Sequence, residues 1–469
     1  MKDYKYKVFT DAIEKHISTG LLKPGDKLPS ARSIKKEYQL SISSVQNGYD
    51  YLIYKGLVRS LPRSGYIVNY QSYKASASHS PDLKAIPRDS VFRENIFLTS
   101  QQKQHTEVAN LNAAVPSDLL IPQKLVLRTM QQVIREKGAA LLRYYPTNGT
   151  EELRELVAKR QVLHGAIIQK DETIITDGAL QALYIALAVT TNPNDIIAVE
   201  SPCVFSVLEV IANLKLRTIE IPLKNYNTFD TDHLADACQK NDIKSIVVTP
   251  NFHNPTGILM TDETKQKLYN IASSREIPII ENDIYGDLYF TGSRPTTIRN
   301  YDQQGLVITV SSFSKTLAPG IRLGWLAAGR YFSAAERLKF SLGRSVSPLN
   351  QEVVAKLLST SSYDRHLRKF RRQLELQAIK LANHIHQFFP ETTYTTIPQG
   401  GYSIWTQLAP GTDMLAFYKT CEKFGVNFTP GNTFSFTNNY DNCFRTVFSN
   451  HLTPESLNAI ERIGQSLSH

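Results

Sequence analysis

From Asn110 onward, short runs of apolar residues alternate with stretches of helical periodicity, and this pattern narrows the possible folds more than any other feature of the chain. The runs are Ile174 to Thr176, Ile196 to Val199, Ile246 to Val248, Pro278 to Ile280 and Leu306 to Val310. Strands with almost no polar alternation are buried on both faces, which predicts a largely parallel sheet covered by helices on either side. Ligands of such sheets sit at the carboxyl ends of the strands. The chain has 469 residues, 42% of them hydrophobic, which is enough for two or three globular units.

The segments richest in chemistry follow those runs. Ser311 to Trp325 reads SSFSKTLAPGIRLGW, with Lys315 in a turn and Arg322 seven residues beyond it. A lysine there can form an imine with an aldehyde, and Ser312, Ser314 and Arg322 can donate to a dianionic phosphate. Together these residues suit pyridoxal phosphate. Thr176 to Leu183, TDGALQAL, opens a helix, so the amides of Gly178, Ala179 and Leu180 can point at a phosphate. In TPNFHNPTG, Asn254 can hydrogen-bond a phenolic oxygen, and ENDIYGDLYF places Asp283 and Tyr285 at another strand end. A carboxylate such as Asp283 beside a pyridine nitrogen keeps that nitrogen protonated, and the ring then draws electrons. Singly, these have plainer readings: a surface lysine, a helix start, an Asn-Pro turn.

The amino-terminal part differs from the rest. The chain carries a net charge of +10, and residues 1–80 hold thirteen Lys and Arg against six Asp and Glu. A basic excess that lies mostly at one end fits either a polyanion-binding head or a merely solvated face. Val8, Phe9, Ala12, Ile13 and Ile17 give one helix between Tyr4 and Thr19, with Gly20 ending it. Ser30 and Ser41 can each cap a further helix, and Leu57–Ser60 with Tyr66–Asn69 predicts a small hairpin. Two short helices, a tight connection and a hairpin make a winged helix-turn-helix. Ser43, Ser44, Gln46 and Asn47 would face base edges in the major groove, while Lys35, Lys36, Arg59 and Arg63 would hold phosphates.

Two resemblances join these readings. GLLKPGDKLPSARSIKKEYQLSISSVQNGYDYLIYKGLVRSLPRSGYIV resembles the winged helix-turn-helix of the GntR family. Many members have arginine where this chain has Ile42, so the likeness carries the fold and not a base preference. Roughly from residue 110 to 465, the order TDGALQAL, TPNFHNPTG, ENDIYGDLYF and SFSK resembles the fold-type I, class I aminotransferases. That likeness implies an α/β body with a mostly parallel sheet and a smaller C-terminal α+β subdomain.

It also implies roles. Lys315 is the Schiff-base lysine, Asp283 pairs with the pyridine nitrogen, and Asn254 and Tyr285 hold the phenolic oxygen. Arg322, Ser312, Ser314 and the amides near Gly178 take the phosphate. Tyr144, in YYPTNGTEELRELVAKR, reaches the neighbouring subunit's cofactor, and Arg445, in CFRTVFSN, binds a substrate carboxylate with its planar fork. Two positions depart from the family. Val204, with Phe205 adjacent, stands where an aromatic usually stacks on the ring, and Ala114 replaces a common glycine near the substrate.

A GntR-type head on such a body resembles the MocR subfamily of bacterial regulators. The expected layout is a head over 1–70, a glycine-free linker over 71–106 and a body over 107–469. The resemblance implies a homodimeric, head-to-tail transcription factor on double-stranded DNA that senses pyridoxal phosphate or an amino compound. A working aminotransferase with an accessory head is the competing expectation. Cys203, Cys238, Cys421 and Cys443 show no metal-ligand spacing and read as reduced thiols. With no signal-peptide pattern and no membrane-spanning run, a cytoplasmic location is expected.

Overall fold

The computed structural model describes residues 5–18, 21–22, 25–61, 65–69, 78, 80–91, 108–163, 165–290, 292–437 and 439–467. Gly20, expected to end the first helix, and Arg63, expected to grip a phosphate, lie outside the described residues.

The head comprises α1 (Lys7–Ser18), α2 (Ala31–Glu37) and α3 (Ile42–Tyr54), then two antiparallel strands, β1 (Val58–Leu61) and β2 (Gly65–Val68). Ser30 Oγ accepts from the amide of Ser33, and Ser41 Oγ from that of Ser44, so each serine satisfies a donor that the helix start leaves open. Phe9, Ile34, Val45, Tyr49, Leu52 and Val58 fill the core between these elements.

The body is built on one large sheet. Its strands are β3 (Arg88–Asp89), β4 (Thr173–Thr176), β5 (Ile196–Ser201), β6 (Arg217–Lys224), β7 (Ile243–Val248), β8 (Ile279–Asn282), β9 (Val307–Ser312) and β10 (Gly324–Ala327). Their spatial order is β3-β6-β5-β7-β8-β9-β10-β4. Neighbours from β6 to β9 run parallel, whereas β10 is antiparallel to both β9 and β4. The sequence reading misses β10, a four-residue run just past the Pro-Gly turn. It also misses β3, which lies inside the expected linker. Residues 80–91 rest on the body: Leu83 is buried, and Arg88–Asp89 pairs with the edge strand β6.

Helices cover both faces. α4 (Gly178–Thr190) lies on one and α5 (Asp262–Ser273) on the other. The two-residue period of a strand then decides which way each side chain of β8 points. Ile280 packs with Ala182 and Leu183 of α4, whereas Ile279 packs with Leu268 and Ala272 of α5. Glu281 therefore follows Ile279 to the α5 side and Asn282 follows Ile280 to the α4 side. The partners of Glu281 agree, since its carboxylate accepts from Thr309 Oγ1 at 2.7 Å and from the Ile298 amide at 2.6 Å.

A C-terminal subdomain holds a smaller antiparallel sheet. Its strands are β11 (Tyr394–Thr395), β12 (Ser403–Gln407), β13 (Thr429–Pro430) and β14 (Cys443–Val447), in the order β11-β12-β14-β13. Leading into it is α6 (Ser362–Phe388), 27 residues long, which touches both halves of the protein. Near its start, Tyr363 Oη donates to Thr316 Oγ1 at 2.7 Å, and His366 Nε2 lies 2.8 Å from the Thr316 carbonyl, one residue past Lys315. Further along, Ile379 is buried in the core of the head, and Asn383 Nδ2 donates to the Asp50 carbonyl of α3 at 3.2 Å. No described helix is long and apolar enough to cross a membrane.

Ile379→Asp places a charge in that shared core. It is expected to detach the head from α6, read in the full chain as faster amide exchange across α1 and α3 with the exchange of β7 and β8 unchanged. Exchange in the head equal to that of the wild type would mean that α6 contributes nothing to holding it.

Candidate functional site

The strand ends of the large sheet converge on Lys315. Its turn is held by short bonds: Ser312 Oγ donates to the Leu323 carbonyl at 3.0 Å, and the Ser314 amide donates to Ser312 Oγ at 3.0 Å. Tyr402 Oη donates to the Lys315 carbonyl, and Lys315 Nζ donates to the Ala114 carbonyl at 2.8 Å. Ala114, expected near the substrate, thus lies against the lysine through its carbonyl. Removal from water disfavours the ammonium, and the guanidiniums of Arg445 and Arg322 disfavour it further, so the pKa of Lys315 falls to about 8.

Asn254, Tyr285 and Arg445 form one buried cluster beside it. Asn254 Nδ2 donates to Tyr285 Oη at 3.2 Å, while Asn254 Oδ1 accepts from Arg445 Nη1 at 3.0 Å. Arg445, on β14, also donates to Thr429 Oγ1 at 2.8 Å and to the Asn112 carbonyl, and its guanidinium lies 5.1 Å from the centre of the Phe434 ring. Among the described residues no carboxylate pairs with it, and its Nε has no partner. Burial pushes its pKa down to about 10. Burial also raises the Tyr285 phenol, with Asn254 and Arg445 pulling the other way. Asn112, Thr429 and Tyr402 are contacts that the sequence reading missed, because each comes from a distant part of the chain.

A cradle suited to an anion lies at the start of α4. Gly178 adopts φ +75°, and a Cβ there would come within 3.1 Å of Arg322 Nη2. Gly324 has no room for a Cβ either, which would lie 2.5 Å from the Gly178 carbonyl carbon. The two glycines let the helix start, β10 and Arg322 meet. Arg322 itself donates to the Asp177 carbonyl at 3.2 Å and stays half in solvent. Ala179 and Leu180 follow on the first turn of α4, with Leu180 exposed. Val204 is buried on the α4 side, and Phe205 turns toward Phe434, 6.3 Å between ring centres. Tyr144 is 76% exposed, with the Arg344 guanidinium 4.8 Å from its ring centre.

Asp283 is placed differently from the expectation. Both its oxygens are engaged away from α4: Oδ1 accepts from Asn251 Nδ2 at 2.8 Å and Oδ2 pairs with Arg294. Arg294 also holds Asp287 at 2.9 Å, and Arg160 links Asp287 at 3.2 Å to Asp364 at 2.8 Å. The reason is strand parity. One residue beyond Asn282, Asp283 continues on the side of Glu281, where this buried charge network fixes the start of α6. Breaking a buried ion pair leaves an uncompensated charge, so Asp283→Asn is expected to lower unfolding stability by about 3–5 kcal/mol, read as a lower urea midpoint. An unaltered midpoint would mean that the network carries no stability.

On the head, Lys35, Lys36, Arg59, Ser43 and Gln46 are exposed, and Ser44 and Asn47 are half-buried. The polar face of α3 is pre-ordered: Gln46 Nε2 lies 2.8 Å from Tyr66 Oη and 3.2 Å from Asp50 Oδ1, and the Ser43 and Ser44 hydroxyls share Ser41 Oγ.

The aminotransferase class I and II family matches residues 106–463, and the gntR family of bacterial regulatory proteins matches residues 5–68. YjiR of Escherichia coli strain K12, an uncharacterized HTH-type transcriptional regulator, is 30% identical over 465 residues, covering 99% of this chain and 98% of that protein. NorG of Staphylococcus aureus strain USA300, also an HTH-type transcriptional regulator, is 28% identical over 86% of this chain and 92% of its own. Among solved structures, LysN, the alpha-aminoadipate aminotransferase of Thermus thermophilus complexed with N-(5'-phosphopyridoxyl)-L-leucine, aligns with a TM-score of 0.74 at 23% identity. It covers 80% of this chain and 95% of that one, a likeness of fold. With both family matches in one chain, and a regulator aligned over 99% of this chain and 98% of its own length, the protein belongs to the MocR-type GntR regulators, a winged helix-turn-helix head fused to an aminotransferase-fold body.

Proposed function

We propose that this regulator binds pyridoxal phosphate on Lys315 and senses either that cofactor or an amino compound that competes with the lysine for it. The observation carrying the reading is Lys315 itself, an amine brought to a pKa of about 8 beside two guanidiniums and close to a helix start. An amine so placed is a nucleophile near neutral pH, among guanidiniums that favour anions.

The residues present fit the cofactor. Arg445 is a buried cation without a carboxylate partner among the described residues, which suits a ligand bearing one. Asn254 and Tyr285 offer an adjoining amide and phenol for the ring's hydroxyl. The Gly178 cradle, Arg322, Ser314 and the first amides of α4 suit the phosphate. When bound, pyridoxal phosphate supplies an aldehyde that condenses reversibly with primary amines. Lys315 then anchors or releases, Arg445 orients a carboxylate, and Tyr285 and Asn254 fix the ring.

The coupling to DNA runs, in this reading, through α6, which contacts Thr316 beside Lys315 at one end and α3 of the head at the other. A ligand shifts the heads only if it binds one arrangement of this helix better than another. The operator reading rests on exposed Lys35, Lys36 and Arg59 for phosphates, and on Ser43 and Gln46 for base edges. A head-to-tail homodimer is supported by exposed Leu119, Leu127, Leu142, Phe340 and Tyr144, apolar surface that a second copy would cover. Aminotransferase turnover is the second reading. What favours it is the same Lys315, whose pKa suits a general base. Steady conversion of an amino donor and a keto acid would decide for it.

Lys315→Ala is expected to abolish the borohydride-reducible yellow chromophore of the loaded protein while DNA binding remains measurable. A chromophore that survives unaltered would remove the imine assignment. The pH dependence follows from the depressed pKa. The neutral amine grows about tenfold per pH unit up to about 8 and then levels off. Cofactor uptake by the free protein, followed by absorbance, should do the same. A rate that climbs steadily to about pH 10 would place the amine in an ordinary aqueous setting.

A further inference from the structure

We propose that Asn282 is the group this pocket presents to the ring nitrogen of the cofactor, so that the ring is held unprotonated and the site favours holding and exchanging amines over chemistry at carbon. This rests on the cofactor reading above. It starts from a polar side chain that the fold leaves unmet. Asn282 is 6% exposed, its Oδ1 is buried without a partner, and its amide makes no hydrogen bond among the described residues. Buried amides are rarely left so, which marks this one as waiting for a ligand.

Its direction follows from the strand. Asn282 shares a face of β8 with Ile280, which packs on Ala182 and Leu183 of α4, and it stands opposite Val310 of β9 in the same cluster. The α4 side is also the side of the Gly178 cradle and Arg322. Other carboxylates near these strand ends are committed. Asp283 is held by Asn251 and Arg294 on the opposite face, Glu200 accepts from the Thr249 amide at 2.8 Å, and Asp177 faces Arg322 at 3.5 Å.

A carboxylate beside a pyridine nitrogen stabilises the pyridinium by opposite charge. A neutral carboxamide carries no charge, and its N–H donates to the unprotonated nitrogen. The amide can present either its oxygen or its nitrogen, since the two orientations have the same shape. An uncharged ring draws less electron density from a bound amine, so loss of a proton from the amine's carbon is disfavoured, whereas competition of amines for the aldehyde is not. An amide in place of an acid at this position thus suits a sensor more than an enzyme.

The test uses the full-length protein loaded with pyridoxal phosphate carrying ¹⁵N in the ring, read by nitrogen NMR from about pH 6 to 9, the range over which a pyridine nitrogen's partner decides its protonation. The expected wild-type signal lies at the unprotonated-pyridine position throughout. Asn282→Asp is expected to move it to the pyridinium position, and Asp283→Asn to leave it in place. A pyridinium signal in the wild type overturns the proposal whatever the variants do, as does an Asn282→Asp signal that stays put in a folded, loaded protein. Failure of the wild type to retain any labelled cofactor overturns the binding reading itself, and this one with it.

Discussion

A sheet buried on both faces forces every strand residue to commit to one side, and the consequences of that constraint run through the body. On β8 the commitment alternates between α4 and α5, residue by residue. Glu281 and Asp283 go one way, into hydrogen bonds and ion pairs that tie β8 to the start of α6. Asn282 goes the other way, toward the start of α4. Neighbours on one strand therefore face opposite sides of the sheet, the acids toward hydrogen bonds and ion pairs and the amide toward α4.

The surroundings of Lys315 are cationic. Lys315, Arg322 and Arg445 approach one another without a carboxylate among them, apart from Asp177 at the solvent edge, and like charge combined with burial weakens the protonated form of the lysine. An arrangement of this kind costs stability, because a buried guanidinium is poorly solvated and Arg445 has only neutral partners. An anion bound there would relieve that cost. On the proposed reading, ligand binding and folding stability are linked through the same three side chains.

Much of this was legible in the chain. Lys315, Ser312, Ser314 and Arg322 lie within one short segment, and the Asn254 and Tyr285 segments each end a strand that its apolar run announces. Asp283 points to the α5 side because the strand runs on to Asn282, two residues past the expected end at Ile280, and parity at a strand end turns on that boundary. The partners of Arg445 and the pairing of β3 with β6 were not legible either. Asn112 and Arg445 are separated by 333 positions, and a two-residue edge strand carries no periodic signal.

The long helix α6 also has a mechanical meaning. Its contact with the turn of Lys315, at Tyr363, and its contact with the head, at Ile379, are sixteen residues apart, about 24 Å along a rigid rod. A tilt of about five degrees at the first point would displace the second by roughly 2 Å, given that same rise per residue. On the proposed reading, such a lever would turn a side-chain rearrangement beside Lys315 into a change in where α3 points, without unfolding anything between them.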